Sequence, residues 1–177
     1  PAHAEWCADV NAWTAPFMMA PINTRVVRRS AMLFSEDAAC GVASYGPSFQ
    51  YEERALARNE THAKALERQN RLSIEARERM REKGSLPKPG QGPDLKTRQS
   101  SSFEMLLLGK ARDGTLGRCA VSGGDPGYDE TAKMVSEAAV LLSTDIDAIR
   151  AGNAVRGGVL TPARAFGEVL IGVLSGE

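Results

Sequence analysis

Little of what builds a conventional active site is present in this sequence. Histidine occurs only at His3 and His62, so a histidine-based hydrolytic triad has almost nothing to draw on. The three cysteines, Cys7, Cys40 and Cys119, are odd in number and far apart. They fit neither a disulfide framework nor a CxxC metal clip, and a reducing cytosol suits them best. No converging set of His, Cys and carboxylates has metal-ligand spacing. Net charge is missing as well: 22 Lys and Arg balance 22 Asp and Glu, which argues against a nucleic-acid binder, whose phosphate contacts need a basic face.

Long apolar runs are also lacking. The nearest candidate, Val159 and Leu160 leading toward 169–174, is broken by Thr161, Pro162, Arg164 and Glu168, far short of the roughly 20 residues of a membrane span. The chain opens on Pro1 with no basic-then-apolar signal region, a start that fits a processed protein and a piece of a longer one equally well. The expectation is a soluble, cytoplasmic protein with no nucleic-acid partner. The dinucleotide fingerprint is missing too: Gly90-Gln91-Gly92 supplies GxG, but Leu95 stands where the third glycine belongs and no strand precedes it. There is no P-loop.

What is present is an ordinary globular composition. The chain has 177 residues, 42% hydrophobic and 25% charged, enough to bury roughly 70% of its extended surface. Pro16 and Pro21 break any helix before them, and Asn23 is positioned to cap a short helix carrying Val26, Val27, Met32 and Leu33 inward. Phe49, Tyr51 and Glu53 alternate onto one face, as in a short strand. From about 52 to 83 sixteen residues are charged, with acid-to-base pairs Glu60–Lys64, Glu67–Arg71 and Glu75–Arg79 at i,i+4. That pattern predicts a long exposed helix ending at Gly84. Residues 85–102 read as a Pro/Gly linker.

Beyond the linker, Phe103–Arg112 is apolar on both faces, which predicts a sheet strand covered on both sides. Asp113-Gly114 predicts a hairpin, with Leu116–Ser122 returning antiparallel. A helix follows from Glu130 to about Ser143, its inner face Ala132, Val135, Ala138, Ala139 and Leu142. Thr161-Pro162 starts a last helix, stopped by Gly176. The fold class is α+β: a mixed or antiparallel sheet with flanking helices, in one domain over 1–177.

Two features suit ligands. Arg25, Arg28 and Arg29 form a cationic group whose forked donors fit phosphate or carboxylate; the plainer reading is a solvated helix flank. Asp125 to Tyr128, after Gly123-Gly124, forms a strand-to-helix turn whose free amides suit an anion, with Tyr128 as a hydrogen-bond donor; the plainer reading is a capped turn. Neither constitutes a complete active site.

A set of segments, in order along 11–176, resembles the saccharopine dehydrogenase-like oxidoreductases. They are Pro16-Phe17-Met18-Met19-Ala20 with 23–30, Pro89-Gly90-Gln91-Gly92-Pro93, Gly124-Asp125-Pro126-Gly127-Tyr128 with Thr131-Ala132-Lys133-Met134, and 157–163 with Gly167. That group includes trans-acting enoyl reductases of lipid synthesis. The resemblance implies a Rossmann domain in cis, absent here, followed by an α+β substrate and dimerisation domain that this chain matches. It also implies NAD(P) in the full-length protein, with none expected to bind this chain alone, a small-molecule or lipid-like substrate, and a homodimer. It carries over no catalytic residue. The alternative is a non-catalytic interaction module that retains the fold.

Overall fold

The computed structural model describes residues 3–36, 44–84, 90–153 and 157–176. Cys40, much of the start of the linker, and Pro89 of the family-like motif lie outside the described residues. The element order is β1 (Glu5–Cys7), β2 (Ala12–Pro16), α1 (Ala20–Glu36), β3 (Arg54–Ala57), α2 (Glu60–Glu82), α3 (Leu95–Gln99), β4 (Phe103–Lys110), β5 (Leu116–Gly123), α4 (Asp129–Thr144), α5 (Ile146–Asn153), α6 (Pro162–Phe166) and α7 (Glu168–Ser175). The architecture is mixed α and β, with small antiparallel sheets and helices. The chain forms two compact units, one of residues 1–88 and 152–165, the other of 89–151 and 166–177.

In the first unit, β1, β2 and β3 form an antiparallel sheet in that order. Its β2–β3 register places Trp13 opposite Ala57 and Ala15 opposite Ala55. Helix α2 packs on that face through Ala63, and the buried centre is Ala15, Ala57 and Ala63, flanked by Trp13, Leu66 and Ala4. Alanine at each contact lets helix and sheet backbones approach closely. Arg54 ties the strands together: Nε donates to the buried Thr14 hydroxyl at 2.6 Å, Nη2 to the His3 carbonyl at 2.7 Å, and Nη1 meets Glu5 at 2.8 Å. The β1–β2 turn passes through Asn11 at φ 50°, a left-handed conformation that asparagine tolerates.

Several expectations change here. Helix α1 starts at Ala20, with Pro21 inside its first turn, where the missing N–H costs nothing. Asn23 is therefore helical, not a cap. Ala20, Ser30 and Phe34 are the buried residues of α1, while Val26 and Met32 face solvent. The charged helix begins at Glu60, capped by the Asn59 side chain; the preceding residues form β3 instead. Lys64–Glu60 and Arg79–Glu75 pair at 2.6 and 3.2 Å as expected. Glu67 makes its hydrogen bonds elsewhere, accepting from the Ala4 amide at 2.8 Å and facing His3, while Arg71 acts on it only through its charge.

In the second unit, β4 and β5 pair from Phe103↔Gly123 to Lys110↔Leu116 around the expected Asp113-Gly114 turn. Gly114 has φ 87°, and the Asp113 carboxylate accepts from the Thr115 amide at 2.9 Å. Among the described residues the ribbon has no third strand, and Leu107 is 43% exposed, so the expected sheet covered on both faces is not formed there. Apolar residues on both faces signal a need for cover, and pairing partners decide whether it is met. Helix α4 matches expectation in extent, but Leu141 is its buried residue, while Val135 and Leu142 are exposed. Its neighbour is α7. The linker contains a short helix, α3, capped by Asp94, whose carboxylate accepts from the Thr97 amide at 2.8 Å. The single last helix is interrupted at Gly167, whose φ of 55° and ψ of −133° break it into α6 and α7. Gly176 terminates α7 in the left-handed conformation, as expected.

Candidate functional site

Helix α1 has two opposed faces. At 100° per residue, Asn23, Ser30 and Phe34 share one stripe, and Arg25, Arg28 and Arg29 lie on the other. The three arginines are exposed; Arg29 reaches the Met32 sulfur at 3.8 Å, and no carboxylate pairs with the cluster among the described residues. Sequence had placed these cations together correctly, and the fold leaves them facing water.

The inward stripe is the richer chemistry. Glu53, 8% exposed, accepts from the Tyr51 hydroxyl at 2.5 Å and from the Asn23 amide at 3.0 Å. Burial first, then the hydrogen bond to Glu53 and its negative charge, push the Tyr51 hydroxyl far above the ordinary phenol range. Tyr51 therefore stays protonated and donates. The Ser30 hydroxyl donates to the Val26 carbonyl at 3.0 Å, so the buried Thr161 hydroxyl, 2.7 Å away, donates to Ser30. Arg164, 1% exposed, lays its guanidinium 5.5 Å from the centre of the Phe34 ring, a cation–π contact.

Four rings continue from that point. Phe34 meets Tyr45 at 5.4 Å, Tyr45 meets Phe49 at 4.8 Å, and Phe49 meets Tyr51 at 6.5 Å between centroids. Tyr45 and Phe49 are open to solvent. The arrangement is an exposed aromatic surface backed by satisfied buried polar groups. Sequence reasoning found the alternation of Phe49, Tyr51 and Glu53, yet those residues precede β3 and lie outside any strand. It missed Arg164, although a lone arginine beside Phe166 in an otherwise apolar helix was a signal of a buried charge.

The Asp125–Tyr128 turn lies in the second unit. Asp125 is buried, and its Oδ2 accepts from the Tyr128 amide at 2.6 Å and the Asp129 amide at 3.3 Å. Those amides are the donors an anion would have used. Asp129 in turn is paired with Arg98. The Tyr128 ring is half exposed and lies over Gly92, where a Cβ would come within 2.7 Å of it. The close approach permitted by Gly92 is thus occupied by a ring. A dinucleotide pyrophosphate needs a glycine turn between a parallel strand and a helix; strand pairing among the described residues is antiparallel throughout. The described residues do not fit such a cofactor. Among them there is also no group of three or more His, Cys, Asp or Glu placed to hold a metal, and no helix is long and apolar enough to cross a membrane.

Comparison with known proteins gives one consistent result. The chain is 30% identical over 176 residues to a trans-acting enoyl reductase of Mycobacterium bovis (strain BCG / Pasteur 1173P2), covering 93% of this chain and 39% of that protein. It is 30% identical over 166 residues to a trans-acting enoyl reductase of Mycobacterium ulcerans, covering 90% and 38%. A Mycobacterium tuberculosis protein provisionally assigned the same activity is 33% identical over 172 residues, again 90% and 38%. The chain thus spans under two fifths of the length of these curated relatives. No family model matches it, and no solved structure matches it.

Proposed function

We propose that this chain is the substrate-binding and dimerisation part of an NAD(P)-dependent enoyl reductase of the saccharopine dehydrogenase-like kind, one that does not bind the nucleotide itself. The observation that carries this reading is the match along nine tenths of the chain to trans-acting enoyl reductases. The misfit of the described residues to a dinucleotide agrees with it. In this reading the nicotinamide cofactor is held by sequence outside this chain and supplies the hydride.

The residues present serve the acyl substrate. The Tyr45 and Phe49 rings provide apolar surface for a lipid-like chain, with Phe34 and Arg164 behind them. Arg25, Arg28 and Arg29 supply permanent positive charge for an anionic group of the substrate; in its own unit, Tyr128 is a separate candidate contact. The relatives' description as trans-acting points to work on a substrate held by another protein.

Titration calorimetry tests both halves of the reading. A long-chain trans-2-enoyl thioester should bind the chain, and Tyr45→Ala should weaken it about tenfold. NADPH should bind with a dissociation constant well above about 1 μM, which corresponds to −8 kcal/mol. Tight NADPH binding, or no thioester binding, overturns the assignment. The exposed apolar surface of β4 and β5 favours a second reading, a non-catalytic interaction module; that module would bind neither probe.

A further inference from the structure

We propose that the β4–β5 ribbon joins two copies of this chain, the two β4 strands pairing antiparallel about a two-fold axis through Leu107. This specifies the surface for the dimerisation in the reading above and rests on that part of it alone. A two-stranded ribbon is marginal in water; three or more strands with an apolar face are needed for independent stability. Among the described residues β4 and β5 pair only with each other. Met105, Leu106, Leu107, Leu116 and Val121 are all exposed, and they cover both faces. An eight-residue edge of this kind is a template for another strand.

The charges choose the edge and the register. On β4 the charged residues are Glu104 and Lys110, both exposed. With Leu107 opposite Leu107 of a second copy, Glu104 stands opposite Lys110 of that copy, twice by symmetry, and Leu106 stands opposite Leu108. The next register that keeps the faces matched, shifted by two residues, places Lys110 against Ser102 and Glu104 against Leu108, and the complementarity is lost. The β5 edge has no equivalent solution: Arg118 is its one charged residue, so every two-fold register sets it against an uncharged residue or another arginine. Pairing through β4 produces a four-stranded sheet, β5-β4-β4-β5. One face of it carries Phe103, Met105, Leu107, Cys119 and Val121 from each copy, because these share a face in the β4–β5 register. Two-fold self-complementary pairing is the commonest form of protein association. An interface built on one strand and its side chains lies at the small end of specific interfaces, so dissociation on the order of 10 μM is expected.

Sedimentation of the chain over a wide concentration range at low ionic strength tests this, with far-ultraviolet circular dichroism confirming that each variant folds. Wild type should pass from monomer to dimer. Leu107→Asp sets two carboxylates together on the axis and should abolish the dimer. Glu104→Lys or Lys110→Glu alone should weaken it about fivefold or more, since like charges then oppose each other at both ends. The double swap Glu104→Lys/Lys110→Glu should restore it to within about twofold. Glu104 and Lys110 of one chain are six residues apart on an extended strand, so rescue cannot arise within a chain. A monomer at every concentration overturns the proposal, and so does failure of the double swap to rescue. A dimer indifferent to Leu107→Asp also overturns it, while leaving dimerisation through some other surface intact.

Discussion

Replacing Glu53 tests whether the buried network on α1 holds the aromatic segment in place. In the folded chain its two carboxylate oxygens each accept one hydrogen bond, from Tyr51 at 2.5 Å and Asn23 at 3.0 Å. Glu53→Ala orphans both donors. A buried donor left unpaired costs about 1–3 kcal/mol; Tyr51 and Asn23 are half-buried, so water replaces part of the loss and the lower end applies to each. Removing the carboxylate also ends its own desolvation cost, which offsets some of the loss. The net expectation is about 2 kcal/mol by urea denaturation at neutral pH. Glu53→Gln keeps one acceptor and turns an amide toward the other donor, for about 1 kcal/mol. The same network makes stability fall at high pH. Because the folded Tyr51 hydroxyl titrates above the ordinary phenol value of 10.0, its contribution is fully present below that pH and is lost as pH rises above it. Glu53→Gln should move the phenolate absorbance transition of Tyr51 toward lower pH, and Tyr51→Phe should remove the effect. If Glu53→Ala shifts unfolding by less than about 0.3 kcal/mol and leaves the phenolate titration unchanged, the network does not exist in solution.

Other perturbations have equally definite outcomes. Asp125→Ala removes the acceptor for two amides at the start of α4 and should cost about 0.5–2 kcal/mol, seen as a lower urea midpoint. Glu67 titrates below the ordinary carboxyl value of 4.5, first because it accepts from the Ala4 amide and then through His3; its contribution is therefore complete above that pH and lost as pH falls below it. Glu67→Gln should flatten that part of the acid limb of a stability–pH curve, and an unchanged limb refutes the contact. Leu107→Ala, at a half-exposed position, should cost less than about 1 kcal/mol in dilute monomer, and a loss several times larger would show that the strand is covered after all.

Local signals in the sequence determined those features that depend on neighbours along the chain. Asp113-Gly114 set the hairpin and its register, because the turn geometry is a property of those residues. The i,i+4 pairs Glu60–Lys64 and Glu75–Arg79 marked α2, and the clustering of Arg25, Arg28 and Arg29 followed from helical spacing alone. Tertiary structure decided everything that depends on a distant partner. The same apolar alternation in Phe103–Lys110 suits a covered central strand and a bare ribbon, and only the absence of a third strand among the described residues distinguishes them. Tyr51 and Glu53 form a site because α1 brings Asn23 across from thirty residues away. Thr161, which local pattern made a helix start, is held by Ser30, 131 residues earlier. Such long-range contacts leave no periodicity in the chain, since hydrogen bonds between distant side chains depend on where the backbone goes, and that is settled by packing.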